Sequence, residues 1–169
     1  FDRASLPTVS VCMATFNGEK YLEAQLESIF RPLRADDELV IVDDASSDST
    51  IEILERVNDP RLVLHRNQSN LGYVGTFEKA MRIATKDVLL LSDQDDIWIE
   101  GRRDALAEAT VRAGVVASDL LLLGSNEPLR SPLTGRPWLL SHKDTSNLRN
   151  ELLMLMGNAP YFGCAMAIR

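Results

Sequence analysis

Asp93-Gln94-Asp95-Asp96 places three carboxylates within four residues. The apolar run Val88-Leu89-Leu90-Leu91-Ser92 precedes them and Ile97-Trp98-Ile99 follows, so the acids stand between two hydrophobic anchors. Asp is a poor strand residue, and three side by side repel one another. A divalent cation removes that penalty, because hard cations take carboxylate oxygens. A solvated acidic turn has the same composition, and position is what separates the two readings. Val88–Ser92 is short and apolar enough to be a buried strand of a parallel sheet, which puts the acids at a strand's carboxyl end. Two further polar turns recur in the same place upstream, Thr15-Phe16-Asn17-Gly18 after one apolar run and Asp43-Asp44 after another. A carboxylate at a strand end can accept a hydrogen bond from a ribose hydroxyl or a base imide, chemistry for one end of a nucleotide. The acidic cluster with a cation suits the diphosphate at the other end.

Asp43-Asp44 can also be read as an Asx-type turn that lends negative charge to the next helix. Asp48 and Ser49 are better placed for that task, which leaves Asp44 facing a cleft. Its removal is therefore expected to alter stability only modestly.

The elements that must position these groups alternate. Thr8–Ala14, Glu38–Val42, Leu62–His65 and Val88–Ser92 read as strands. Leu22, Leu26, Ile29 and Phe30 mark a first helix that Pro32 stops. Ser49 and Glu52 have capping-box spacing at the head of a second, with Ile51, Leu54 and Val57 inward. Phe77, Met81 and Ala84 mark a third, and a fourth is expected over Gly101–Ala113. Val115–Leu123 and Tyr161–Ile168 read as further strands, with a helix between them at Leu148, Leu152 and Leu155. The stretch Gly124–Thr145 is rich in Pro, Gly, Ser and Arg, a long excursion of the kind that is functional or mobile. Such alternation predicts an α/β fold, a mostly parallel sheet with helices on both faces and ligands beyond the carboxyl ends of its strands.

At 169 residues the chain is one domain's worth, with 45% hydrophobic and 25% charged residues, as in globular proteins. No apolar run approaches the roughly 20 residues that span a bilayer. The net charge of −7 argues against a nucleic-acid partner, and an anionic ligand would need a metal or local basic groups. Cys12 and Cys164 sit in apolar stretches and read as reduced core residues. The opening Phe1-Asp2-Arg3, without Met, reads as the start of an excised segment. Neither G-x-G-x-x-G nor G-x-x-x-x-G-K is present, so neither a dinucleotide fingerprint nor a phosphate loop is supported.

Four blocks in order, Val9–Asn17, Leu39–Asp44 with Ser46-Ser47-Asp48, Asn70-Leu71-Gly72 and Ser92–Trp98, resemble the family 2 glycosyltransferases of the GT-A fold. The form Ser-Asp-Gln-Asp-Asp-Ile-Trp resembles the branch that builds bacterial surface polysaccharides, often described as rhamnosyltransferase-like. The resemblance implies an inverting, metal-dependent hexosyltransferase that moves a sugar from a UDP- or dTDP-linked donor to a saccharide or lipid-linked saccharide acceptor. It implies a cytoplasmic setting, including the cytoplasmic face of the membrane. By the same resemblance Thr15, Phe16 and Asp44 contact base and ribose, with Asn17, Asn70 and Gly72 in the nucleotide site. Asp93 and Asp95 form the D-x-D pair, Asp95 as the nearest ligand of Mg²⁺ or Mn²⁺ and Asp93 beside the ribose. Asp96, Trp98, Gly163 and Cys164 fall toward sugar and acceptor.

Two departures stand out. Phe77-Glu78 occupies the place where many members carry Arg-Asn. The family's general base follows the strand resembling Tyr161–Ile168, which places it beyond Arg169, so residues 1–169 are read as one catalytic domain cut short at its C-terminal end. Other classes fit less well. A haloacid-dehalogenase-type phosphatase carries D-x-D at its first strand. A nucleotidyltransferase wants a Gly-rich basic loop where Ala14-Thr15-Phe16-Asn17-Gly18 stands. A response-regulator module would have no clear phosphoacceptor in the Gln-Asp-Asp run. A sugar-binding module without catalysis remains as an alternative.

Overall fold

The computed structural model describes residues 6–119, 121, 122, 124, 125, 127, 128, 130, 135, 137 and 166–169. Four strands, β1 (Val9–Thr15), β2 (Glu38–Asp43), β3 (Leu62–Arg66) and β4 (Val88–Ser92), alternate with helices α1 (Leu22–Phe30), α2 (Thr50–Glu55) and α3 (Gly72–Ile83). Helix α4 (Arg102–Thr110) and strands β5 (Val115–Ala117) and β6 (Met166–Ile168) complete the described elements. The sheet order is β3-β2-β1-β4-β6-β5. The first four strands are mutually parallel, while β6 runs antiparallel to both β4 and β5.

Burial on both faces explains why the central strands are continuously apolar. Val9, Val11 and Met13 of β1, with Leu39 and Ile41 of β2, pack in one cluster with Leu22, Leu26 and Ile29 of α1, Leu54 of α2 and Leu106 of α4. Cys12, Val40 and Val42, the alternate positions, face the other way onto Ala80 and Met81 of α3. Cys12 is free, and burial followed by the nearby Glu38 charge pushes its thiol up to about 12, so it serves as a core residue. Among the described residues no helix is long and apolar enough to cross a membrane.

Two expectations change, and others fall outside the described residues. The capping box at Ser49 is not made: Ser49 gives no side-chain cap. Instead Asp48 Oδ1 accepts from the Thr50 N–H at 3.0 Å, and Glu19 Oε2 accepts from the Ser49 N–H at 3.0 Å. A carboxylate one residue earlier, joined by one from another turn, outcompetes the local pattern. The apolar run 115–123 is a strand only over Val115–Ala117. Leu121 and Leu122 lie exposed beyond it, where the Leu122 N–H closes a local turn on the Glu127 carbonyl at 2.8 Å. The helix at Leu148–Leu155, Gly163, Cys164, most of Tyr161–Ile168 and most of the excursion Gly124–Thr145 lie outside the described residues.

Candidate functional site

Parallel strands bring their carboxyl ends to one edge, and there the polar turns meet. The turn after β1 is stitched to the turn after β2. The Asn17 N–H donates to Ser46 Oγ at 3.0 Å, and Asn17 Oδ1 accepts from the Ser47 N–H at 2.9 Å. The Gly18 N–H donates to Thr50 Oγ1 at 2.8 Å. Asp43, fully buried, organises the second turn: it accepts from the Ser46 N–H at 3.0 Å and from Thr15 Oγ1 at 3.1 Å. The Asx-turn reading thus belongs to Asp43.

Asp44 reaches further. Its Oδ1 accepts from Asn67 Nδ2 and from the Leu71 N–H, both at 2.8 Å, and its Oδ2 accepts from the Gly72 N–H at 2.9 Å. A strand-end carboxylate therefore holds the N-terminus of α3, where negative charge is favoured. Burial acts to raise its pKa, but hydrogen bonds from Leu71, Asn67, Thr76 and Gly72 prevail and hold the carboxyl below its ordinary value. Asp44 is only 3% exposed and braces the fold, so a larger loss of stability is expected on its removal than the modest one its cleft position suggests.

The acidic loop after β4 is held from beneath. Gln25 projects from the buried stripe of α1, and its Nε2 donates to Ser92 Oγ at 2.8 Å and to the Asp93 carbonyl at 2.9 Å. Trp98 Nε1 donates to the same Ser92 Oγ at 3.1 Å, and the Trp98 N–H to Ser28 Oγ at 3.1 Å. From the front, Gln94 is bonded to the backbone of Phe16: Oε1 accepts the Phe16 N–H at 2.9 Å and Nε2 donates to its carbonyl at 3.2 Å.

These elements enclose a cleft of about 430 Å³ at the carboxyl edge. Thr15, Phe16, Asp44, Asn70, Gly72, Asp93 and Asp95 line it, so seven of the residues singled out from sequence come together. Asn17 is turned to the neighbouring turn, and neither it nor Asp96 is in the lining. Trp98 is 7% exposed and packs in the core; it borders a separate cavity of about 610 Å³ between α1 and the 97–104 segment. The structure thus gives Trp98 a place beneath the acidic loop and not on the cleft wall. Ala14, Tyr73, Thr76, Phe77 and Gln94 join the lining. Of the departing pair Phe77-Glu78, Phe77 sets an aromatic ring on the wall, while Glu78 pairs with Arg82 at 2.7 Å on the outer side of α3. Gln25, Ser28 and Tyr73 escaped sequence reading. Gln25 had a signal, an amide at i+3 in an apolar stripe; exposed Tyr73 had none.

The described lining holds three carboxylates and no Lys or Arg. Among the described residues no group of three or more His, Cys, Asp or Glu side chains is gathered to hold a metal by protein alone. The donor set present is the pair Asp93 and Asp95 at an open cleft. That suits a cation completing its shell with substrate phosphates, as Mg²⁺ and Mn²⁺ do.

The sheet order, the edge cleft and the D-x-D loop define a GT-A type nucleotide-sugar transferase fold. The model of the family "Glycosyl transferase family 2" matches residues 10–165, and the chain belongs to that family. Over 95 residues, 56% of this chain and 37% of the relative, it is 34% identical to the UDP-Glc:alpha-D-GlcNAc-diphosphoundecaprenol beta-1,3-glucosyltransferase WfgD of Escherichia coli. The crystal structure of S. aureus TarS 1–349 in complex with UDP matches with a TM-score of 0.62 at 28% identity, covering 72% of this chain and 38% of that one. The mannosyltransferase PcManGT from Pyrobaculum calidifontis, in complex with GDP-Man and Mn²⁺, matches with a TM-score of 0.60 at 27% identity, covering 79% and 38%. The chain thus spans about a third of the length of the curated relatives it matches.

Proposed function

We propose that this chain forms the donor site of an inverting glycosyltransferase for bacterial surface polysaccharide, taking its sugar from a pyrimidine nucleoside diphosphate. The observation that carries the reading is the cleft itself, with Asp44 at one end, Asp93 and Asp95 at the other and aromatic rings between. Asp44 is held ionised on the cleft wall, with Oδ2 accepting the Gly72 N–H at 2.9 Å. A carboxylate oxygen has room for a second donor. The imide N–H of uracil or thymine supplies one, as the N1–H of guanine also would, whereas cytosine and adenine present a ring acceptor that a carboxylate repels. The UDP in the names of WfgD and of the TarS complex favours the pyrimidine. Phe16, Tyr73 and Phe77 offer faces for a planar base.

Asp93 and Asp95 would hold Mg²⁺ or Mn²⁺ together with the diphosphate. Bound there, the cation would neutralise the charge that gathers on the departing nucleoside diphosphate. In the transfer, an acceptor hydroxyl oxygen bonds to the anomeric carbon as the bond from that carbon to phosphate oxygen breaks. The diphosphate keeps the electron pair, and the hydroxyl proton passes to a general base. The acceptor class we favour is a saccharide on a lipid carrier, by likeness to the substrate in WfgD's name.

Titration calorimetry with UDP tests the reading. Binding should require Mn²⁺ or Mg²⁺, collapse with EDTA and fall at least tenfold in Asp95→Asn. Equal UDP affinity with and without the cation would overturn the metal assignment, and no UDP binding would overturn the donor site. Weak UDP binding beside strong GDP binding would overturn the pyrimidine assignment alone.

A further inference from the structure

Gln94 stands between two carboxylates of the acidic loop, yet its side chain turns to another turn altogether. Its carboxamide meets the Phe16 backbone at both N–H and carbonyl, at 2.9 and 3.2 Å, as a neighbouring strand would. Matching both groups takes one donor and one acceptor in a plane, which Gln has and Glu, Leu or Met lacks.

Gly18 shows how closely this contact is built. Glycine in a turn is usually explained by a positive φ. In this turn Asn17 takes that conformation, at φ 48°, and Gly18 does not. What a side chain at Gly18 would lack is space. A Cβ there would stand 2.4 Å from Gln94 Oε1 and 2.7 Å from its Cδ. The last residue of the turn is bare where the Gln94 amide lies.

The acidic loop is thereby tied at two adjacent residues, at Asp93 from the core by Gln25 and at Gln94 from the cleft wall by Phe16. Three neighbouring carboxylates would otherwise spread. A neutral amide resists that without adding a fourth charge.

We propose that Gln94 is a positioning residue that sets the spacing between the Phe16 wall and the Asp93–Asp95 pair. It thereby couples the base-binding end of the cleft to its diphosphate-binding end. The inference rests on the nucleotide reading of the cleft and goes beyond it by naming what holds the two ends in register. Preorganisation of this kind strengthens binding because the ordering is done at folding and not on association.

The test uses the chain as it is, with Mn²⁺, UDP and uridine as probes. Gln94→Ala and Gly18→Ala, the second pushing the amide aside without removing it, should each weaken UDP binding in Mn²⁺ about tenfold, the size of one or two neutral hydrogen bonds. Uridine affinity should change less than about twofold, on the same scale of effects. Because both substitutions break one contact, the double variant should bind UDP no more weakly than the worse single. Melting temperatures should stay within a few degrees, since the contact lies at an exposed edge. Unchanged UDP affinity in the single variants, equal losses for uridine and UDP, or losses that add in the double would each overturn the inference. Failure of the unaltered chain to bind UDP would overturn the nucleotide reading itself, and this inference with it.

Discussion

Asp44 answers to two demands, since its oxygens take hydrogen bonds from Asn67, Leu71 and Gly72 while the residue lines the cleft. Asp44→Ala leaves those donors without their acceptor and α3 without its counter-charge. A loss of about 2–3 kcal/mol is expected, together with the loss of UDP binding. The pH dependence follows from the depressed pKa of the folded state. A carboxylate of this kind contributes stability that is fully present above its unfolded value of about 3.9 and is lost as pH falls through the lower folded value. Thermal melts of the two proteins should therefore differ most at pH 6–7, and the gap should narrow as pH falls below about 4. A constant gap down to pH 3 would show that the charge is not what Asp44 contributes. Next to it, Ala45 sits at φ 61°, a left-handed conformation that costs a residue with a Cβ about 1–2 kcal/mol. Ala45→Gly should raise the melting temperature by about 1–2 °C once the greater freedom of unfolded glycine is set against the relieved strain, and Ala45→Val should lower it by several degrees. Melts of the three side by side decide it.

At the scale of elements, the strand ends were legible because apolar runs of five to seven residues break into Asn, Asp, Ser and Gly. The alternation then dictates that β1, β2 and β4 end on the same edge. What joins those ends was not legible. Asn17 to Ser46 and Ser47, and Gln94 to Phe16, are contacts across 29, 30 and 78 residues, and no local periodicity marks them. The Ser49–Glu52 spacing misled for the complementary reason: it is a local pattern, and Glu19 from another turn takes the Ser49 N–H that Glu52 would have taken, while Asp48 takes that of Thr50. Gln25 lies between these cases, since an amide in the stripe Leu22, Leu26, Ile29 is a visible irregularity whose meaning comes only from the strand above it. Gln25→Leu keeps the bulk and removes the donor to Ser92 and to the Asp93 carbonyl. It should lower stability by about 1–3 kcal/mol through the loss of two buried hydrogen bonds, with Trp98 Nε1 still donating to Ser92 Oγ and the Ser92 hydroxyl to the Asp93 carbonyl. It should also weaken UDP binding in Mn²⁺, because Asp93 loses its support. A variant that melts lower yet binds UDP as well as the parent would show that Gln25 holds the core and not the loop.

Across the whole molecule, the sheet separates what holds it together from what it does. Its amino edge carries an ion pair in which both partners are fully buried at the side chain. Arg103 of α4 donates through Nε and Nη2 to the two oxygens of Asp37, at 2.9 and 2.6 Å, and through Nη2 to the Pro7 carbonyl at 2.9 Å. Asp37 in turn accepts from the N–H groups of Val9 and Arg34, at 2.9 and 2.8 Å. One pair thus gathers the starts of β1 and β2 and the head of α4, at the end of the sheet away from the cleft. A buried pair can contribute little net stability over apolar residues of equal shape, yet removal of one member leaves an uncompensated charge and costs about 3–5 kcal/mol. Arg103→Leu should therefore lower the melting temperature by about 10 °C or more in a domain of this size. Adding Asp37→Leu should recover part of the loss, because the orphaned carboxylate goes with it, although the N–H groups of Val9 and Arg34 then lack their acceptor. The part of Arg103→Leu that remains folded at low temperature should bind UDP in Mn²⁺ with the parent's affinity, since no cleft residue touches this pair in any recorded bond. Calorimetry at 10 °C beside thermal melts separates the two quantities. A loss of UDP affinity that tracks the loss of stability would mean that the two edges of the sheet are coupled, and that the acidic loop depends on the amino edge for its shape.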